Sequence, residues 1–533
     1  MIDKKTQKYD RQLRLWQAHG QACLEDARVC LLNASVAGSE TLKNLILPGI
    51  GSFTIVDSKL ITGRDVGKNF FLTHDSIGKS KSQVMAEYLK ELNDEVVGNF
   101  VDQDPVSLID RDPSFFRQFS IVIATALPEA SIKKLASICW DARIALVVLR
   151  TCGFFAHLRI AVPEHTVVES HPESVMDLRL DQPFPALIQF SAQFNMDQMD
   201  SHQKSHVPYV VILLQLLDEW KRHHNGELPS NAAERQKFKE LIRKKQGDLL
   251  DPENFDEATQ AVLRACTKTK IPSNILDILN DPEASDICTQ SSFFWITARA
   301  VRDFVNNEGN GSLPLTGKIP DMKADTESFV ALQTLYRNQA QADVAHISQR
   351  VEALLQSLPV KTTGHVHSAS NPVQISNEEI ARFCKNCQSL AVIRYRSLHD
   401  EFESAKTAEI QTHLNDLDNN LVYYILFRAS ELFFETFKRY PGEHHEDVET
   451  DIGSLKKCVV SLLTKLEIPV DSISDDHVHE MVRAGGSELH NIGAVMGGIA
   501  SQEIIKLVTH QYIPVNNTLI YNGIKGTISV YTL

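Results

Sequence analysis

From Arg28 to about Pro163, short apolar runs alternate with helical patterns. The runs VCLL, FTIV, IVIA and IALVVL show no polar alternation, which is the signature of strands covered on both faces. Between them, GSETLKNLIL, KSKSQVMAEYLKEL and EASIKKLASICWDA place their apolar residues at helical spacing. Buried strands separated by helices predict a doubly wound, mostly parallel, Rossmann-like α/β sheet.

Past Pro163 the texture changes to long amphipathic segments, among them HVPYVVILLQLLDEWKRHH, AAERQKFKELIRKK, TESFVALQTLYRNQAQADVAHISQRVEALLQSL and IQTHLNDLDNNLVYYILFRASELFFETFKRY. These predict a large helical region, with breaks at 306–321, 360–374 and 441–451, where Gly, Pro and polar residues cluster. The last fifty or so residues return to α/β character, with IGAVMGGIASQEIIKLV as a helix rich in small residues and NTLIYNG and GTISVYTL as strands. The economical topology is one sheet domain over 1–165, a mainly helical insertion over 166–480, and closing sheet elements over 481–533.

Composition narrows the class. The chain has 533 residues, is 43% hydrophobic and carries a formal charge of −14. Its basic runs are short and interrupted, which argues against a nucleic-acid surface, because phosphate binding needs clustered Lys and Arg. The start, MIDKKTQKYD, has no apolar signal core, and the longest apolar run, at 209–217, is too short to span a bilayer. The expected location is cytoplasmic and nuclear, with no membrane partner. The nine cysteines then read as free, buried thiols.

The stretch RVCLLNASVAGSETLKNLILPGIGSFTIVD, residues 28–57, has the strand, turn, helix and strand of a nucleotide site. A phosphate-cradling G-x-G-x-x-G turn needs glycine where this chain has Asn33 and Ser35, and only Gly38 is in place. That absence also argues against an NAD-dependent oxidoreductase.

The segments KYDRQLRLWQAHGQACLEDARVCLLN, LILPGIGSFTIVD, FFLTHDSIGKSK and ELN resemble, in order and spacing, the adenylation repeat of enzymes that activate ubiquitin-like modifiers, the type shared with bacterial molybdopterin and thiamine biosynthesis. LPLTGKIPDMKADTESFVALQTLYRNQAQAD and ELHNIGAVMGGIASQEIIKLVTHQYIPVNNTLIYNG resemble one subfamily, the amyloid-precursor-protein-binding regulatory subunits of the heterodimeric enzyme that activates the Nedd (Rub) modifier. The likeness covers essentially the whole chain. The regulatory subunit of the Sumo-activating enzyme and an autonomous ATP-dependent adenylating enzyme are the alternatives.

The resemblance implies a degenerate site. Asp57 matches the acid that ends the second strand, although an Asp there also serves as a turn residue. Lys68, beside Asn69, stands where active members hold phosphate oxygens with an arginine, and a lysine lacks the bidentate fork. Lys81 matches the family's ATP-contacting lysine, or is an exposed lysine opening a helix. Thr125 is followed by Ala126 where active members place a magnesium-binding Asp, and a methyl group offers a hard cation no oxygen. The expectation is a pseudo-adenylation repeat binding no cofactor or metal itself, with ATP and magnesium held by a catalytic partner subunit.

Arg11, in KYDRQ, matches the arginine that reaches from one repeat into the ATP site of the other, the plain alternative being a surface arginine capping the first helix. Cys266-Thr267 only superficially fits the family's nucleophile, since no proline precedes it. The pair Cys384 and Cys387 lacks the second pair that tetrahedral zinc wants and reads as core packing. The His pairs in RHHN and EHHED read as solvated surface. No ubiquitin-like module is expected after Leu533, so recruitment of a conjugating enzyme would also fall to the partner. The modifier is the other expected partner, and no nucleic acid is.

Overall fold

A computed structural model describes residues 4–172, 176–359, 375–416 and 419–533, with the side chains of Lys4, Lys5 and His445 set aside. The predicted break at 360–374 lies outside the described residues.

Among the described residues ten strands form: β1 (Arg28–Leu32), β2 (Ser52–Val56), β3 (Val97–Val101), β4 (Ile121–Thr125), β5 (Ala145–Cys152), β6 (Phe155–Ala161), β7 (His165–Val167), β8 (Ala391–Ile393), β9 (Thr518–Asn522) and β10 (Thr527–Tyr531). Eight of them make one sheet in the order β10-β9-β6-β5-β4-β1-β2-β3, while β7 and β8 pair separately. β3, β2, β1, β4 and β5 run parallel, and β6, β9 and β10 add an antiparallel wing. The chain winds from β1 toward β3 and then restarts at β4 on the other side of β1. That reversal opens a crevice at the carboxyl ends of the strands, where such sheets bind ligands.

The period-2 side-chain alternation explains why the central strands read as continuous apolar runs. Val29 and Leu31 enter a core with Phe53, Ile55, Ile123 and the helices Val36–Ile46 and His490–Thr509. Cys30 and Leu32 face the other way, onto Val122, Val148, Phe116 and Leu135. The Val36 helix lies so close to β1 that a Cβ on Gly38 would sit 2.7 Å from Leu31 Cδ1. Gly38 therefore survives for packing. The small residues of the His490 helix work in the same way, since a Cβ on Gly493 would come within 2.7 Å of Val36 Cγ1 and one on Gly497 within 2.5 Å of Glu40 Cβ. This is the one helix, among the described residues, that is long and apolar enough to cross a membrane, and 61% of that apolar window is buried in the fold.

Contacts divide the chain into one unit of 1–167 with 392–533 and another of 168–391. Sequence texture puts the return to the sheet unit at 481, whereas the contacts put it at Val392. The reason is that Leu421–Phe437 and Val448–Lys465 are helical in pattern yet bury Leu421, Ile425, Phe433 and Leu455 in a core shared with Phe155 of β6 and Ile520 of β9. The second unit has its own core of Val210, Leu213, Phe238, Phe255, Leu332 and Tyr336, built on helices that include Tyr209–His223 and the 32-residue Thr326–Ser357.

Candidate functional site: a closed phosphate turn

A cavity of about 480 Å³ lies at the sheet's reversal point, and Asn33, Ser35, Asp57, Lys68, Lys81 and Ala126 all line it. Six of the sequence-derived positions thus share one site, and Gly38 lies just behind in the helix.

The turn between β1 and the Val36 helix is closed by its own side chains. Asn33 takes a left-handed backbone, φ 63°, which Asn tolerates better than most residues. Its amide Nδ2 donates to the carbonyls of Thr125 (2.9 Å) and Ala126 (3.1 Å), tying the end of β1 to the end of β4. Thr125 Oγ1 returns the tie by donating to the carbonyls of Leu32 and Asn33 at 3.0 and 2.8 Å. Ser35 caps the helix, its Oγ accepting from Gly38 N at 3.0 Å. Of these groups only Gly38 N is a donor of the kind that a glycine turn offers to phosphate.

Two further amides of the turn, those of Ala34 and Val36, meet carboxylates. Asp57, 1% exposed, accepts from Ala34 N at 2.9 Å and from Lys59 N at 2.8 Å. Each of its oxygens thus accepts one backbone N–H, the bonding of a turn residue. Val36 N, at the first position of the helix, donates to Glu488 Oε2 at 3.1 Å. The other oxygen of Glu488 accepts from Thr151 Oγ1 at 3.1 Å, and Lys68 Nζ stands 3.6 Å from Oε2. An anion facing a helix amino terminus, flanked by a lysine, is the arrangement a phosphate would take. Here the chain's own carboxylate occupies it. Glu488 is held there by its backbone, since Gly153 N donates to Ser487 O at 2.8 Å and residues 153 and 488 form a β-bridge.

Lys81 is also accounted for. It is 8% exposed, so the reading of an exposed lysine fails, and its Nζ donates to Asp65 Oδ1 at 2.9 Å. Burial pushes the Asp65 carboxyl up, but hydrogen bonds from Thr62 and the charge of Lys81 outweigh it and hold it at about 2. Asn69 is buried and structural, with Nδ2 on Ser39 Oγ and Oδ1 accepting from Phe71 N. Ala126 sits at φ 46° with an exposed methyl group, a strained conformation for alanine. Behind the cavity, Arg150 pairs with Glu431, which is 1% exposed and also accepts from Glu129 N and Tyr440 OH.

Arg11 lies elsewhere, in the first turn of the helix Asp10–Asp26, where it is exposed and makes no ion pair among the described residues. The capping alternative fails, because a cation at a helix amino terminus opposes the dipole and Tyr9 holds the cap position. Tyr9 anchors this helix through its hydroxyl, which donates to Glu95 Oε2 at 2.7 Å and accepts from Asn93 at 3.0 Å.

The cysteine candidates are inert by environment. Cys266 is 7% exposed, and burial pushes its thiol up to about 11 against the pull of Arg235. Cys384 and Cys387 are 1% and 0% exposed, with burial pushing Cys384 up to about 12 and Cys387 well above its ordinary value. A nucleophile or metal ligand must be a thiolate, and these sites disfavour it. His224 stacks on Trp220 at 3.8 Å, so RHHN is only partly solvated surface. His444 is exposed.

Sequence reading did not assign Glu488, Asp65, Arg150 or Glu431. Glu488 stood in the quoted stretch ELHNIG, but its target lies 452 residues away, and no local pattern encodes such a pair.

The crevice, the helix facing it and the acid ending β2 define an adenylation-type nucleotide fold whose phosphate turn is closed. The ThiF family model matches residues 9–533. The chain is 45% identical over 544 residues to the "NEDD8-activating enzyme E1 regulatory subunit" of Danio rerio, covering 100% of both chains. It is 41% identical over 538 residues to the "NEDD8-activating enzyme E1 regulatory subunit AXL" of Arabidopsis thaliana, again covering 100% of both. With the "Nedd8-activating enzyme E1 regulatory subunit" of Drosophila melanogaster it shares 37% identity over 528 residues, covering 98% of this chain and 96% of that one. The chain belongs to the ThiF family and, within it, to the regulatory subunits of the NEDD8-activating enzyme E1.

Proposed function

We propose that this chain is the noncatalytic half of the heterodimer that activates the Nedd8 (Rub) modifier. A catalytic partner subunit holds ATP and magnesium. On that subunit the modifier's terminal carboxylate attacks the α-phosphorus, expelling pyrophosphate, and a thiolate then takes the acyl group as a thioester with loss of AMP. This chain completes the partner's ATP site with Arg11 and contributes a wall against the modifier. It takes no part in membrane or nucleic-acid binding, and it works in the cytoplasm and nucleus.

The observation that carries this reading is the Glu488 carboxylate on Val36 N. Ala34 N and Val36 N already meet internal acids, as do Lys68 and Lys81, which leaves Lys59 as the one cavity lysine with no ion pair among the described residues to meet a triphosphate. The names of the full-length relatives support the assignment to Nedd8 over the Sumo enzyme and over an autonomous adenylating enzyme.

The test is modifier-dependent ATP–pyrophosphate exchange by the chain alone and mixed with the catalytic subunit. Silence alone and exchange in the mixture are expected, and exchange by the isolated chain would overturn the reading. Arg11→Ala should leave the heterodimer intact while slowing exchange by at least tenfold, since an arginine supplied in trans is worth about 10³ to 10⁵ in phosphoryl transfers. An unchanged rate would remove Arg11 from the site.

A further inference from the structure

The helical unit has a cleft of its own, about 410 Å³ in volume, lined by residues 176–181, 263–264, 267–272, Leu313 and Gln388. Its charge is opposite in sign to that of the chain, whose formal charge is −14. Arg264, Lys268 and Lys270 are exposed within seven residues of sequence. Arg264 and Lys270 make no ion pair among the described residues, and Lys268 reaches only the exposed Glu227, at 3.7 Å. Such a surface pair is worth little.

The acids in the cleft are already committed. Asp177 accepts from Arg179 N at 2.9 Å and from Arg179 Nε at 2.7 Å. Asp181 accepts from Thr269 N and Thr269 Oγ1, both at 2.7 Å. These bonds fix the loop 266–272 against the segment 176–181, and Tyr336 OH holds the latter by donating to Leu178 O at 2.6 Å. The cleft is therefore preformed, and among the described residues its unpaired charge is mainly cationic, with Arg264 and Lys270 against the single Asp181 carboxylate, which rests on neutral donors. It is also partly apolar: Leu263 is 63% exposed at its edge, beside Ile271 and Pro272.

We propose that this cleft docks an acidic, extended peptide segment of a protein partner, its carboxylates on Arg264, Lys268 and Lys270 and an apolar side chain against Leu263. The complementarity of charge selects an acid, and the apolar edge selects a peptide over a nucleic acid, whose backbone offers no such group. Fixed cations around a preformed cleft accelerate encounter and set partner choice. The proposal is independent of the adenylation reading, because the cleft lies wholly within the helical unit.

The test uses the full chain and a short fluorescein-labelled peptide of alternating Asp and Leu, followed by anisotropy at low and high salt. Binding that weakens as salt rises, and falls about tenfold or more in Arg264→Glu/Lys270→Glu, is expected. Leu263→Ser, an exposed change that leaves the charges in place, should weaken binding with its salt dependence unaltered. Equal binding of the matching Asn and Leu peptide, no effect of the charge reversals in variants with wild-type thermal unfolding, or tighter binding of a labelled oligonucleotide would each overturn the proposal.

Discussion

Replacing Glu488 with Gln keeps the side chain's shape and one acceptor for Val36 N while removing the anion. The charge faces the first turn of an eleven-residue helix, and a partly buried charge in that position contributes about 1–2 kcal/mol. The pair with Lys68 spans 3.6 Å with 16% and 32% of the side chains exposed, which adds about 0.5 kcal/mol after screening. Glu488→Gln should therefore lower unfolding stability by roughly 1.5–2.5 kcal/mol, the sum of those two contributions. Part of the loss should disappear at high salt.

Glu488→Ala, which removes the side chain as well as the charge, should uncover the anion site that Glu488 fills. Val36 N and Lys68 would then meet inorganic pyrophosphate, and a ligand present at tenfold its dissociation constant restores about 1.4 kcal/mol. The assay is urea unfolding of the wild type, Glu488→Gln and Glu488→Ala, with and without millimolar pyrophosphate. Destabilised Glu488→Ala rescued by pyrophosphate, beside a wild type indifferent to it, is the expected pattern. Equal stabilities would show that Glu488 is not a phosphate surrogate, and an equal pyrophosphate effect on wild type and Glu488→Ala would show that the turn is open despite it.

Ala126 sits at φ 46°, and a left-handed alanine costs about 1–2 kcal/mol while a glycine costs roughly 0.5–1 in unfolded-state entropy; Ala126→Gly should raise the unfolding free energy measured in urea by the difference, about 0.5–1 kcal/mol, and a lower value would contradict that balance. Asp65 is held at about 2 against an ordinary 3.8, so its contribution is complete above the ordinary value and is lost as pH falls through about 2. Acid unfolding of Lys81→Met should show a weaker dependence in that window than wild type, worth about 1 kcal/mol after solvent screening, and identical curves would remove the pair from the account. Glu431→Ala strands the Arg150 guanidinium and the Glu129 amide in a buried site and should cost about 3–5 kcal/mol, whereas Glu431→Leu with Arg150→Met should cost much less. Equal losses in the two variants would refute that asymmetry.

Much of the fold was legible because β1, β2, β4 and β5 lie between two helical layers, so their apolar runs are interrupted only by Thr54 and their other polar residues stand at the strand ends. β3 was not, because VGNFV is an edge strand with Val97 57% and Phe100 43% exposed, and a Gly sits between them. β6 holds Arg159, fully buried and paired with Glu401 at 2.6 Å, along with His157, which burial and the charges of Arg150 and Arg159 push down to about 3. Neither residue announces a core strand. The boundary at 392 was invisible for a different reason. Helical periodicity reports which face of a helix is buried, and it says nothing of whether a sheet or another helix covers that face. At the site, residue identity revealed what was missing, the glycines and the magnesium acid. What replaced them depends on pairs such as Asn33 with Thr125 and Val36 with Glu488, set by tertiary structure alone.

Those pairs also explain why the cavity persists after the turn has closed. Its walls are fixed by Lys68 with Glu488 and Lys81 with Asp65, and the Arg150 wall is backed by Glu431. Apolar walls around a cavity are free to drift inward, since filling space gains contact energy. A paired charge has no such freedom, because moving one partner strands the other with a desolvation cost of several kcal/mol. The turn is held differently: Ser35 Oγ meets Gly38 N, Asp57 and Glu488 meet the amides of Ala34 and Val36, and Asn33 ties the turn to the carbonyls that end β4. The closed turn and the standing crevice therefore meet at Glu488, which accepts from Val36 N on one side and pairs with Lys68 on the other.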